Sequence, residues 1–119
     1  DGGQKHLWLA DSSDQGRTWH NLRMITVQPD CPGQLLRLPD GRVILIYCRR
    51  SRAPDTGVGV MVSTDEGNTW EDQQIVLKLN RDQDNGTYAS SCLLADGTIV
   101  TMAGKNHGNR LQSIRWRMP

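Results

Sequence analysis

Residues 12–19 read Ser-Ser-Asp-Gln-Gly-Arg-Thr-Trp, and residues 63–70 read Ser-Thr-Asp-Glu-Gly-Asn-Thr-Trp. We call these stretches motif 1 and motif 2. They share the pattern Ser-x-Asp-x-Gly-x-Thr-Trp and lie 51 residues apart, which indicates an internal repeat of one supersecondary unit. The shared positions are Ser12, Asp14, Gly16, Thr18 and Trp19 in motif 1, and Ser63, Asp65, Gly67, Thr69 and Trp70 in motif 2.

Each shared residue type favours a tight turn between two strands. The short Asp side chain accepts hydrogen bonds from backbone N–H groups further along the chain, and Gly adopts positive φ without a Cβ clash. Thr is suited to begin the next strand, and Trp supplies an apolar surface that would pin the turn to the body of the unit. We therefore predict that both motifs are structural turns.

A calcium loop is the alternative interpretation of the acidic residues in the motifs. Such a loop needs several oxygen ligands at close spacing, and only Asp11, Asp14, Asp65 and Glu66 stand near the two motifs. We predict no metal site and no cofactor.

Composition narrows the class of protein further. The chain has 119 residues, a formal net charge of +1 and no long apolar run, so we expect no nucleic-acid partner and no membrane span. Cys31, Cys48 and Cys92 form no C-x-x-C pair, and we expect them to be buried free thiols. The compartment stays open, with a secreted or periplasmic location as one option.

Apolar stretches alternate with turn signals, and no helical period is sustained, which predicts an all-β protein. Asp40-Gly41 and Asp96-Gly97 are hairpin signals, and the apolar residues 43–47 between turn signals predict a strand buried on both faces. Pro29 and Pro32 are expected to interrupt regular structure. The predicted strands are residues 5–11, 19–27, 34–38, 43–47, 58–62, 70–79, 89–95, 98–103 and 111–116.

The spacing of hairpins and motifs divides a single domain, residues 1–119, into three units. Asp40 precedes Asp65 by 25 residues, and the same spacing from Asp96 would pass the last residue. We predict two strands in residues 1–28, a complete four-stranded antiparallel unit in residues 29–79, and an incomplete three-stranded unit in residues 80–119.

Motifs of this kind are Asp-boxes, or bacterial neuraminidase repeats, and with two of them the chain resembles the sialidase superfamily. The resemblance covers residues 32–119 through the stretches 35–42, 47–49, 63–70, 88–91, 96–101 and 114–119. Sialidases are six-bladed β-propellers. The resemblance therefore implies a partial β-propeller of antiparallel four-stranded blades, about two of the six, with the N-terminal blades of such a protein missing.

Sialidases are retaining glycosidases with a Tyr nucleophile paired with Glu, an Asp acid/base and three Arg that bind the substrate carboxylate. The resemblance implies that Tyr88 occupies the nucleophile position. Arg49 follows a buried strand, where a guanidinium would bind a carboxylate through two hydrogen bonds, and Arg50 and Arg52 are neighbours that could replace it. The structural alternatives are a rim aromatic at Tyr88 and a solvated arginine loop.

The chain also departs from the family pattern. Met102-Ala103 stands where the family has an aromatic pair, and no Glu is placed to activate Tyr88. Three hypotheses follow: a sialidase-like glycoside hydrolase with an incomplete active site in one chain, a non-catalytic carbohydrate-binding propeller module, or a structural fragment that folds by oligomerisation. The expected ligand of the first two is an acidic sugar or glycan.

Strand counting leads to an expectation about assembly. The first unit lacks two strands, which would leave Leu7, Trp8 and Leu9 with little to pack on, and the last unit lacks one. Unpaired edges and exposed apolar faces are templates for another chain. We expect a homo-oligomer that completes sheets across its interfaces.

Overall fold

The protein folds into nine β-strands and no helix over the residues that the computed structural model describes, which are 6–26, 30–49, 56–78, 88–105 and 110–119. The strands are β1 (Trp8–Asp11), β2 (His20–Met24), β3 (Asp30–Arg37), β4 (Val43–Arg49), β5 (Gly57–Ser63), β6 (Glu71–Lys78), β7 (Ala89–Leu93), β8 (Ile99–Lys105) and β9 (Arg110–Trp116). In the described residues, no helix is long and apolar enough to span a bilayer.

The strands form three separate antiparallel sheets in chain order. The first pairs β1 with β2, the second has the order β3-β4-β5-β6, and the third has the order β7-β8-β9. The all-β prediction is confirmed, and the sheets contain two, four and three strands as expected. Within the described residues none of the three sheets closes on itself.

The two Asp-Gly hairpins have the same geometry, as their sequences predicted. Leu38 N–H donates to Arg42 O and Leu94 N–H donates to Thr98 O, both at 2.8 Å. The glycines after Asp40 and Asp96 have φ of 92° and 81°, values that glycine adopts without strain. These turns fix the registers of the β3–β4 and β7–β8 pairs.

The hydrophobic core lies between the four-stranded and three-stranded sheets. Strand β4 is buried on both faces, as its uninterrupted apolar sequence predicted. The core residues are Leu38, Ile44, Ile46, Val58, Val60 and Leu77 from the four-stranded sheet and its first turn, and Ile99 and Ala103 from the three-stranded sheet. Burial of these side chains is the main force that holds the two sheets together.

The two-stranded sheet packs on the opposite face of the four-stranded sheet. A Cβ at Gly33 would lie 3.0 Å from two methyl carbons of Leu7, and a Cβ at Gly67 would lie 2.9 Å from Leu9. The expectation that Leu7 and Leu9 have little to pack on is therefore wrong, because a glycine in β3 and a glycine in motif 2 let these side chains approach the backbone closely.

Two further expectations about single residues are wrong. Pro32 lies inside β3 rather than interrupting it, because β3 is an edge strand and its register shifts between Asp30 and Gly33, where Pro is tolerated. Cys92 is exposed, whereas Cys48 is buried as expected. The side chain of Cys31 and all of Pro29 fall outside the described residues.

Candidate functional site

Both motifs form the same hydrogen-bonded turn. The Ser hydroxyl donates to the Asp carboxylate at 2.9 Å in motif 1 and 2.8 Å in motif 2, and it accepts the Gly N–H at 2.8 Å in both. The Asp carboxylate also accepts the Thr N–H at 2.8 Å and the Thr hydroxyl at 2.6 Å in both motifs. The observed contacts are those of a structural turn.

The electrostatics of the motifs agree with this interpretation. Hydrogen bonds from Thr18 lower the pKa of Asp14 to about 2, and those from Thr69 lower the pKa of Asp65 to about 2. The carboxylate oxygens of Asp14 and Asp65 thus accept hydrogen bonds from donors within their own turns. Among the described residues, no cluster of three or more His, Cys, Asp or Glu side chains could hold a metal ion.

The surroundings of the two motifs differ. Trp70 is half-buried and its indole Nε1–H donates to Gly67 O at 3.1 Å. Arg23 of the two-stranded sheet donates to the same carbonyl from Nε at 3.1 Å and Nη2 at 2.9 Å. Trp19 in motif 1 is 64% exposed, so the expectation that a buried surface of Trp19 pins its turn to the fold is wrong.

The candidate site can be located from the directions of β3 and β7. The β3–β4 turn and the β7–β8 turn line one cleft together with Arg117 and Met118. Midway along the strands, the Gln34 amide donates to Ser91 O at 2.8 Å and accepts Ser91 N–H at 2.7 Å. Strands β3 and β7 therefore run in the same direction, and their beginnings lie at one common end of the two sheets.

Arg49 and Tyr88 both lie at this common end, which we call the strand-start end. Arg49 ends β4 and pairs with Asp30 at the start of β3. Tyr88 directly precedes β7, its side chain is 67% exposed, and its carbonyl accepts Gly104 N–H at 3.2 Å. Arg50 and Arg52, the other predicted substrate-binding residues, lie outside the described residues.

Among the described residues, Arg49 and its cross-strand partner Asp30 both have a buried polar atom without a partner. Asp30 is only 2% exposed, and within the described part of the chain Asp30 Oδ1, Arg49 Nε and His6 Nδ1 are buried without a hydrogen-bond partner. Burial raises the pKa of the Asp30 carboxyl, and the charges of Arg49 and His6 oppose that shift. Unpaired buried polar groups are costly, and each one in a native protein calls for an explanation such as a functional role or a bound water or ion.

The sequence pointed to Arg49 but not to Asp30 or His6. Asp30 stands beside two prolines, a context that indicates a loop, and His6 precedes a short strand. Only the pairing of β3 with β4 brings Asp30 opposite Arg49. The sequence signal for Asp30 is its position just before a predicted strand, since the next predicted strand is followed by Arg49.

Neither glutamate near motif 2 lies at the strand-start end. Ser63 pairs with Val43 and Val62 pairs with Glu71, which places motif 2 beside the β3–β4 turn, at the other end of the sheet. Glu66 is paired with Arg37 through two hydrogen bonds. The prediction that neither Glu is placed to activate Tyr88 agrees with this geometry.

No family model, curated protein or solved structure matches this chain in comparisons with known proteins. The resemblance to sialidases therefore rests on the motifs themselves, and function must be argued from the strand-start end.

Proposed function

We propose that this chain is a sialidase-like carbohydrate-active protein, with its sheets as blades of a partial β-propeller, and that its strand-start end binds an acidic sugar. The observation that carries the proposal is the buried, unpartnered Nε of Arg49 beside the buried carboxyl of Asp30. Support for the ancestry comes from the two motifs with their common hydrogen-bond pattern.

The residues at this end offer complementary chemistry for such a ligand. A guanidinium binds a carboxylate through charge-assisted hydrogen bonds, which are stronger than those between neutral groups. The exposed Tyr88 side chain at the same end offers an aromatic surface and a phenolic oxygen to sugar hydroxyls. An acidic sugar carries both the carboxylate and the hydroxyls that these groups require.

The hydrolase and the non-catalytic binding module differ in one respect. A sialidase-type mechanism needs a Glu to take the proton of the nucleophilic Tyr, and both described Glu side chains near motif 2 lie at the far end of the sheet. This observation favours binding with little or no turnover by the chain alone. Tyr88 is then a contact residue that retains the position of a nucleophile.

Binding is tested by calorimetric titration of the folded chain with N-acetylneuraminic acid. We expect a measurable affinity that falls about tenfold or more in Arg49→Lys, since lysine cannot reproduce the arginine's planar array of donors. Arg37→Lys is the matched control, because Arg37 pairs with Glu66 at the other end of the sheet. Equal affinity in wild type and Arg49→Lys, or no binding by wild type, would contradict the proposal.

Turnover is tested with an activated aryl sialoside, whose good leaving group needs the least acid assistance. We expect little or no release of the aryl group by wild-type protein. Clear turnover that is abolished in Tyr88→Phe would show a functional nucleophile and would favour the hydrolase over the binding module.

A further inference from the structure

The contact between the first two sheets shows how one sheet of this protein docks on the next. Leu9 and Arg23 are cross-strand partners on one face of the two-stranded sheet. Leu9 packs against Gly67, and the Arg23 guanidinium donates to the Gly67 carbonyl at 3.1 and 2.9 Å. The two sheets thus contact each other where an apolar side chain and an arginine of the two-stranded sheet meet the glycine of motif 2.

The other face of the two-stranded sheet is exposed and apolar. Trp8 and Met24 are cross-strand partners on this face, and Leu22, two residues before Met24, is 69% exposed. We call Trp8, Leu22 and Met24 the leading face. Single exposed apolar side chains are ordinary, but three on one short strand pair form a patch that indicates an interaction surface.

The repeat identifies what kind of surface the leading face is. Shifted by the 51-residue repeat, Trp8 and Met24 correspond to Gly59 and Ile75, which are also cross-strand partners. Gly59 pairs with Tyr47, and Tyr47 pairs in turn with Gly33, so these three residues lie on one face of the four-stranded sheet. Leu7 of the neighbouring sheet packs over Gly33 on this face. The leading face is therefore the counterpart of the face that receives a neighbouring sheet. Motif 1 beside it has an exposed glycine, Gly16.

The outward face of the three-stranded sheet carries the complementary groups. Alternate residues of this sheet face the core, so Val100, Met102, Leu111 and Arg115 point away from it. Leu111 is 74% exposed, and Val100 and Arg115 are cross-strand partners, an apolar residue beside an arginine, as Leu9 and Arg23 are. We call these four residues the trailing face.

We propose that the trailing face of one copy packs on the leading face and motif 1 of a second copy of this chain. The apolar side chains of the two faces cover each other, and Arg115 donates to the Gly16 carbonyl of the next copy, as Arg23 donates to Gly67 within one chain. A second copy is the chosen occupant because this contact repeats the docking that already joins the first two sheets. Such a contact is heterologous, so it builds a ring or an open chain of subunits.

The test is the solution mass of wild-type protein and of two single variants, measured by light scattering after size exclusion. We expect wild type to have a mass that is a multiple of the 13.3 kDa chain at micromolar concentration. Leu22→Glu disables the leading face and Leu111→Glu disables the trailing face, so each variant alone is expected to be a monomer. An equimolar mixture is expected to form a dimer, because each variant retains the face that the other lacks.

The mixture distinguishes this contact from other modes of assembly. Thr64→Glu is the matched control, since it introduces the same charge at an exposed position of motif 2, outside both faces, and its mass should equal that of wild type. Met24→Glu and Met102→Glu provide second variants of each face if circular dichroism shows that a first variant is unfolded. A folded wild-type monomer, a single variant that keeps the wild-type mass, or a mixture that stays monomeric would each overturn the proposal.

Discussion

Motif 1 and motif 2 adopt one turn in two different settings. Their hydrogen bonds agree to within 0.1 Å, and their glycines have φ of 85° and 82°. Yet Gly67 lies under Leu9 and Arg23, whereas Gly16 is exposed. Eight residues thus determine the turn by local hydrogen bonds, whereas the neighbouring sheet determines how much each position contributes to stability.

The largest expected difference between the motifs is at their glycines. In Gly16→Ala the new Cβ would lie 3.6 Å from Trp19, so the loss of stability is about 1–2 kcal/mol, from the positive φ alone. In Gly67→Ala the Cβ would lie 2.9 Å from Leu9, and overpacking raises the loss to roughly 2–4 kcal/mol. Urea denaturation of both variants, at protein concentrations low enough to keep the chain monomeric, checks this, and equal losses would show that the two-stranded sheet does not pack on motif 2.

A smaller difference is expected at the two tryptophans. Trp70→Ala removes a half-buried ring and its hydrogen bond to Gly67 O, which should cost about 2 kcal/mol. Trp19→Ala removes a largely exposed ring and should cost about 0.5 kcal/mol. The unfolding free energies of the two variants provide the measurement. At protein concentrations low enough to keep the chain monomeric, a loss in Trp19→Ala as large as that in Trp70→Ala would contradict the difference in exposure.

The smallest expected difference is in the titration of Asp14 and Asp65, where we expect none. Both have a pKa of about 2 in the folded protein, below the ordinary 3.8, because the same Thr groups donate to each. Each carboxylate therefore stabilises the fold above about pH 4 and loses that contribution as the pH falls through about 2. Carbon NMR of the two carboxyl groups should show nearly equal midpoints, and an ordinary midpoint for either would refute the shared geometry.

Much of the fold could be predicted from the sequence because its signals are local. Asp40-Gly41 and Asp96-Gly97 determine their hairpins within four residues, and the apolar run at 43–47 predicted a strand buried on both faces. Contacts between distant residues were not predictable in this way. The Gln34 amide pairs with the Ser91 backbone across two sheets, and nothing in the residues beside either position indicates that contact.

The residues of the candidate site also fall into two groups, those that local sequence predicted and those whose placement depends on contacts between distant residues. Arg49 was predicted because it ends an apolar strand, and Tyr88 because its surroundings resemble a family pattern. Asp30 and His6 were not predicted because their placement depends on β3 pairing with β4 and on the chain before β1 approaching that pair. From its residue type alone, Trp19 was predicted to pack against the fold. In the structure Trp70 is half-buried, whereas Trp19 is largely exposed.

We propose that the motifs maintain the fold while the strand-start end binds the ligand. The most direct test measures both the melting temperature and the affinity for N-acetylneuraminic acid in Asp65→Asn and Arg49→Lys. We expect Asp65→Asn to melt roughly 4–8 °C lower with its affinity unchanged, because the turn loses hydrogen bonds far from the site. We expect Arg49→Lys to keep its melting temperature and lose affinity. An Asp65→Asn protein that melts like wild type but no longer binds the sugar would show that motif 2 acts in binding rather than in folding.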